Sequence, residues 1–281
     1  MTLSEHAPAK VNLCLHVTGQ RADGYHLLDS LVVFTQVGDS VALTQTPGLT
    51  LTGPEAAGLQ SDGDNLVSRA ARLTGAEGLG LVLDKHLPVA SGIGGGSSDA
   101  AATLRLIARA RGLPLPDAAE VLRLGADVPV CLTPRPRRMQ GIGEILSDLP
   151  PVPDFALVLV NPRVCVPTPA VFRAFARLDG AQMGEPGPWP DLPAFVHWLS
   201  AQRNDLQVPA CQIAPVIAEV LTHLRALPAC LLARMSGSGA TCFGVFATLA
   251  QAQAAADLLT ARAPHWWVRP TGLLTDTPRH V

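Results

Sequence analysis

Lys85-His-Leu-Pro-Val-Ala-Ser-Gly-Ile-Gly-Gly-Gly-Ser-Ser-Asp99 decides how the rest of the chain is read. Gly92, Gly94, Gly95 and Gly96 fall within five residues. Without side chains there, backbone N–H groups can converge on an anion and positive φ angles carry no steric penalty. Immediately beyond, Ala100, Ala101, Leu104, Ile107 and Ala108 recur at helical spacing, with Arg105, Arg109 and Arg111 left for the other face or the C-terminal end. A helix that starts here points its positive end at the same place. Loop and helix together predict a phosphate cradle, to which the Ser97 and Ser98 hydroxyls can add donors. A flexible linker is also glycine-rich, but linkers rarely run straight into an amphipathic helix. It is not a Walker A loop, because Ser97 stands where that motif needs lysine. It is not a dinucleotide fingerprint either, since Ser97 also replaces the third glycine. Asp99 would repel phosphates unless a cation lay between them. It is therefore either a Mg²⁺ ligand or a partner of the helix dipole.

Upstream of this loop, Val11, Leu13, Leu15 and Val17 alternate with Lys10, Asn12, Cys14 and His16, which predicts a strand over 9–17 with one polar face. A turn-forming segment over 18–24 leads to a second strand over 27–35. A short helix is expected over 64–73 and a strand fragment over 81–83. Downstream, Leu149-Pro-Pro-Val-Pro-Asp154 is stiff and extended, so a boundary is placed near residue 150, between an N-terminal region 1–150 and a C-terminal region 151–281. The second region offers a strand over 155–160, a helix over 170–178, a Pro/Gly-rich loop over 180–193, and strands over 231–235 and 241–246 around another glycine turn. The class is α+β.

At 281 residues the chain has room for two packed lobes. A hydrophobic fraction of 48% with a net charge of -2 fits a folded protein without a polyanion-binding surface, so no nucleic acid partner is expected. Neither a membrane span of roughly 20 apolar residues nor a signal peptide is visible, so a cytoplasmic protein with no membrane partner is expected. The six cysteines include no Cys-x-x-Cys pair and are expected to be buried and inert. Of the 21 basic residues only Lys10 and Lys85 are lysines, which suggests that a compact charge is required at those places. The single tyrosine, Tyr25, raises the same question.

Pro88-x-x-x-Gly92-Ile-Gly-Gly-Gly-Ser-Ser98 resembles the central ATP-binding motif of the GHMP kinases. Pro8-Ala-Lys-Val-Asn-Leu13 is similar to their N-terminal motif, and Met235-Ser-Gly-Ser-Gly-Ala-Thr241 to their C-terminal glycine motif. Gly19-Gln-Arg-Ala-Asp-Gly-Tyr-His26 is similar to the signature of one family among them, the diphosphocytidyl-methylerythritol kinases. So are Leu124-Gly-Ala-Asp-Val-Pro-Val130, Gly141-Ile-Gly-Glu144, Pro167-Thr-Pro169 and Asn204-Asp205. The resemblance implies an N-terminal lobe like domain 2 of ribosomal protein S5 and a ferredoxin-like C-terminal lobe. It also implies ATP and Mg²⁺ as cofactors, a diphosphocytidyl methylerythritol substrate of the non-mevalonate isoprenoid route, and a monomer or weak homodimer. Another GHMP kinase, acting on mevalonate, homoserine or a sugar, stays open as an alternative, as does an inactive GHMP-like binding protein. The segment 131–140, with Arg135, Arg137 and Arg138, departs from the family pattern; those arginines would contact phosphate or face solvent.

By the same resemblance Asp127 accepts the proton of the substrate hydroxyl, against the plain reading of a loop or cap carboxylate. Lys10 would pair with it and stabilise the transferred group. Asn12 would meet the substrate's hydroxyls or phosphate. Tyr25 and His26 would stack on and read the cytosine, with Phe172 as a second ring and Thr168 nearby. Asn65, Lys85 and the loop Pro88, Val89, Ala90, Ser91, Gly92, Ile93, Gly94, Gly95, Gly96, Ser97 and Ser98 would lie against ATP, with Asp99 toward the metal.

Overall fold

The alternation over 9–17 belongs to a longer strand, β1 (Ser4–Gln20), in a computed structural model that describes residues 3–61, 64–176 and 180–274. Both faces of β1 are buried, not one: Lys10, Asn12, Cys14 and His16 are as enclosed as Val11 and Leu13. Polar groups are tolerated there because internal partners satisfy them. A turn over 21–25 returns the chain along β2 (His26–Thr44), which pairs with β1. Both strands are shared by two compact units. The first unit takes residues up to Lys10, Val37–Val89 and Gly94–Pro134; the second takes Val11–Gln36, Ala90–Ile93 and everything from Arg135.

The first unit adds β3 (Gly48–Thr52), α1 (Leu66–Leu73), β4 (Gly80–Asp84), α2 (Gly95–Arg111), α3 (Ala118–Leu122) and α4 (Val128–Leu132). Ser40 to Thr44 of β2 runs antiparallel to β4, and β3 runs parallel to β4 on its other side. Val41, Leu81 and Leu83 from these strands share one core with Val67 of α1 and Ala102, Leu106 and Ile107 of α2. Each such side chain contributes about 1.5–3 kcal/mol by leaving water. Burial of α2 from Ser98 to Ala108 explains why the helix starts inside the glycine run, earlier than its apolar spacing indicates. Packing outweighs the roughly 1 kcal/mol that each helical glycine costs. Gly94 caps the start at φ 63° and Gly112 the end at φ 64°, both left-handed.

The second unit contains β5 (Arg137–Gly141), β6 (Ile145–Asp148), β7 (Ala156–Asn161), α5 (Thr168–Ala174), α6 (Leu192–Ser200), α7 (Gln207–Ile213), α8 (Val216–Arg225), β8 (Leu232–Met235), β9 (Cys242–Phe246), α9 (Leu249–Arg262) and β10 (Trp267–Gly272). Leu28 to Val32 of β2 pairs with β5, and β5 with β6. A separate antiparallel sheet runs β10-β7-β9-β8. Every residue of β7 is buried, since it is a central strand with α9 packed on it. Val158, Val160, Val220, Leu224, Phe246 and Leu259 form its core. The helix expected over 170–178 is α5; residues 177 and 178 lie outside the described residues.

Two expectations need correction. Arg138 is neither a phosphate contact nor a solvent-facing cation: it grips the buried Asp29 carboxylate with both arms, 2.9 Å each. A carboxylate buried in an apolar strand requires such a partner. Arg135 and Arg137 pair with Asp148. Among the cysteines, Cys14, Cys131 and Cys242 are buried, and burial pushes the Cys14 thiol up to about 11 and Cys131 up to about 12. Cys165, in contrast, is exposed on a loop.

Candidate active site

Lys10 is carried by β1 to the start of α2, within the first unit. A Cβ placed on Gly94 would lie 3.2 Å from Lys10 Cβ and 3.3 Å from Cε, so glycine gives this side chain room to cross the helix N-terminus without shifting. Its ammonium ends 2.8 Å from Asp127 Oδ2, with the lysine 3% and the aspartate 36% exposed. Asp127 occupies the N-cap of α4 but makes no capping bond with its side chain. The carboxylate is therefore available for chemistry and is held by a fixed cation.

The residues of the glycine loop divide sharply. Ser98 is fully buried and donates its hydroxyl to the Pro8 carbonyl at 2.8 Å, so it ties α2 to β1 and is not available as a phosphate donor. Gly96 is exposed, and Ser97 is half-buried with its hydroxyl near Gly125. Pro88 and Ile93 are buried, whereas Val89 and Ala90 are exposed. Asn65 caps α1, accepting the Val67 N–H at 3.0 Å, and donates to the Gln60 carbonyl at 2.9 Å.

Lys85 does not stand open toward a nucleotide. Its ammonium is buried between Asp39 (2.5 Å) and Asp99 (2.6 Å). Asp99 is thus given to an ammonium. Its second oxygen, Oδ1, is buried and has no hydrogen-bond partner. Burial, reinforced by the neighbouring Asp39 charge, pushes the Asp99 carboxyl up to about 8 against the pull of Lys85. Mg²⁺ keeps several waters and demands octahedral space. A buried carboxyl already in contact with a cation does not fit that requirement.

In the second unit, the Asn12 side chain donates to Ser30 Oγ at 2.8 Å, and Ser30 donates onward to the Cys14 carbonyl at 2.6 Å. The serine proton is committed, so the amide must present its nitrogen to Ser30 and its oxygen elsewhere. That oxygen faces Gly237, 3.3 Å from the position of an added Cβ. Ser236 receives the Asn12 N–H and donates to the Gly92 carbonyl at 2.9 Å, so the C-terminal glycine turn holds the tip of the central loop. Gly92 admits no Cβ, which would meet Ser236 O at 2.6 Å. Thr168 and Ser238 share a hydroxyl–hydroxyl bond of 2.7 Å.

The aromatic residues sit differently from the expectation. His26 stacks on Phe172, with centroids 4.9 Å apart, and meets the edge of Phe175. The ring expected to read the base covers a face of the ring expected to stack on it. Partial burial lowers the His26 pKa, so the imidazole is neutral at pH 7 and has one donor and one acceptor. Tyr25, 60% exposed, projects from the turn between β1 and β2.

Comparison with known proteins decides the family. The profile of the GHMP kinases N terminal domain matches residues 65–134, and that of the GHMP kinases C terminal domain matches 191–265. A 4-diphosphocytidyl-2-C-methyl-D-erythritol kinase of Cereibacter sphaeroides is 58% identical over 95% of the chain and 98% of its own length. The chain belongs to the 4-diphosphocytidyl-2-C-methyl-D-erythritol kinase family of GHMP kinases. A relative of the same name from Dinoroseobacter shibae is 56% identical over 95% of the chain and 93% of its own length. A crystal structure of a 4-(cytidine 5'-diphospho)-2C-methyl-D-erythritol kinase superposes with a TM-score of 0.76 at 34% identity, covering 97% of this chain and 99% of that one.

For this GHMP kinase, several quoted motif residues turn out to be scaffolding. Glu144 accepts the Ile142 N–H in the turn after Gly141. Asn204 donates to the carbonyls of Met235 and Gly237, and Asp205 accepts the Val17 N–H. Three residues were missed altogether. Asp39 and Ser30 lie in β2 without a local motif. Arg234 is buried and donates to the carbonyls of Leu13, Leu199 and Gln202. A carboxylate inside a buried strand is the signal that would have found Asp39.

Proposed function

We propose that the chain transfers the γ-phosphoryl group of ATP to the 2-hydroxyl of 4-diphosphocytidyl-2-C-methyl-D-erythritol. The observation that carries the chemistry is the Lys10–Asp127 pair at the glycine start of α2. Phosphoryl transfer asks a protein to align reactants and neutralise charge, with a base in a secondary role. Asp127 takes the proton of the hydroxyl. Lys10 balances the charge that the proton leaves behind and draws the transferring oxygens toward the helix. The free N–H groups at the start of α2 hold phosphate oxygens where the helix dipole favours them.

Tyr25 offers its exposed ring to the cytosine, and the neutral His26, fixed by Phe172, reads the base edge. Asn12 Oδ1 accepts a hydroxyl of the substrate, with Thr168 and Ser238 as further polar partners. Mg²⁺ would accompany ATP and neutralise phosphate charge; Asp99, buried against Lys85, does not fit as its ligand. The test is an ATP-coupled assay with the diphosphocytidyl substrate, mevalonate, homoserine and galactose. Turnover of the first alone is expected. Preference for any of the others would overturn the reading.

A further inference from the structure

Asp39 touches neither the glycine loop's tip nor the Lys10–Asp127 pair, yet it joins both ends of the loop. Its Oδ1 accepts the N–H groups of His86 (2.6 Å) and Leu87 (2.8 Å), the residues that lead into the loop. Its Oδ2 holds the Lys85 ammonium, which also reaches Asp99 in the first turns of α2. The ammonium lies beneath the first residue of that helix, 3.1 Å from the position of a Gly95 Cβ. The Asp39, Lys85 and Asp99 side chains are nearly enclosed, and all of these residues belong to the first unit.

We propose that Asp39 is a positioning residue for the phosphate cradle, a clamp that fixes the entry of the glycine loop and, through Lys85 and Asp99, the start of α2. This rests on the reading of the cradle as an ATP site. The loop needs such a device because four glycines make it costly to order, and the Gly94 cap supplies no side-chain bond. Preorganising donors before the ligand arrives removes that cost from binding.

Asp39→Asn keeps an oxygen for the two N–H groups and removes the charge that holds Lys85. Calorimetry on the full chain with ATP alone, and separately with the diphosphocytidyl alcohol, is the measurement, with circular dichroism as the check on folding. The expected result is an ATP dissociation constant raised at least ten-fold and an alcohol constant within two-fold of the unaltered chain. In turnover, KM for ATP rises while KM for the alcohol does not. Unchanged ATP affinity, or equal losses for both ligands, would overturn the clamp. Should Asp39→Asn fail to fold, Asp99→Ala removes the contact between Lys85 and α2 and leaves the Asp39 bonds in place. It is expected to show the same selectivity, and its failure to do so would equally overturn the proposal. The function reading fails separately, by absence of turnover in a chain that binds ATP.

Discussion

Lys10 reaches Asp127 across the N-terminus of α2 at 2.8 Å, and the lysine is buried while the aspartate is partly open. A buried ammonium needs its counter-charge, and an open carboxylate can reach a substrate proton. Neither residue does its part alone, so their removal is expected to be non-additive. Asp127→Asn keeps the shape, deletes the proton acceptor, and should lower kcat by about 10² to 10⁴. Combined with Lys10→Met, it should lose far less than the product of the two single effects. Multiplicative losses in single-turnover kinetics would show that the two act independently.

Gly94 permits that crossing, so it makes its own prediction. Gly94→Ala brings a methyl to 3.2 Å from the Lys10 stem, closer than ordinary van der Waals contact, and places a non-glycine residue at φ 63°. The left-handed conformation alone costs about 1 kcal/mol. The variant should fold with a slightly lower Tm and show a lower kcat, because the ammonium is displaced from Asp127. A kcat equal to that of the parent would mean that Lys10 has room to adjust.

On the cytidine side, Tyr25 is too exposed to support the fold. Tyr25→Ala should leave stability within about 0.5 kcal/mol and weaken binding of the diphosphocytidyl substrate by about 1–3 kcal/mol, without affecting ATP. Equal effects on both ligands in a calorimetric titration would assign Tyr25 to structure.

His26 carries a pH dependence whose sign follows from its lowered pKa. Burial disfavours the imidazolium, so the neutral ring persists through neutral pH and is lost only when pH falls below the ordinary imidazole range. KM for the alcohol should be flat from about pH 7 upward and rise on acidification, and His26→Gln should flatten the acid limb. An acid limb that survives the substitution belongs to another group.

Much of this arrangement is legible in the sequence, and the exceptions share a cause. The glycine run, the helix behind it and the alternation of β1 are local patterns, and each marks its element, although α2 begins earlier and β1 runs longer than the pattern indicates. The scarcity of lysine also carried information: Lys10 and Lys85 are both buried in ion pairs. What the sequence hides is which carboxylate each cation meets. Asp39 lies 46 residues from Lys85, and Asp29 lies 109 from Arg138, with no local signal joining either pair. The polar side of β1 is misread for the same reason, because the partners that allow Asn12 to be buried, Ser30 and Ser236, come from distant segments.

The Asp29–Arg138 pair gives the last prediction. Asp29 is 1% exposed, opposite Gln140 where β2 meets β5, and it also accepts the Met183 N–H at 3.2 Å. Arg138 meets it with two bonds and extends a third to Glu185. Removing one partner of a buried pair strands the other charge, which typically costs about 3–5 kcal/mol. Arg138→Met should therefore destabilise strongly in urea titrations. Asp29→Leu in the same chain should recover a large part of that loss, since no uncompensated carboxylate remains. Arg135→Met is the control. Its partner Asp148 is exposed, and water screens that bond, so stability should change by about 0–1 kcal/mol. If Arg138→Met were as mild as the control, the guanidinium would be a surface cation after all, and the order of β5 against β2 would have to rest on backbone pairing alone.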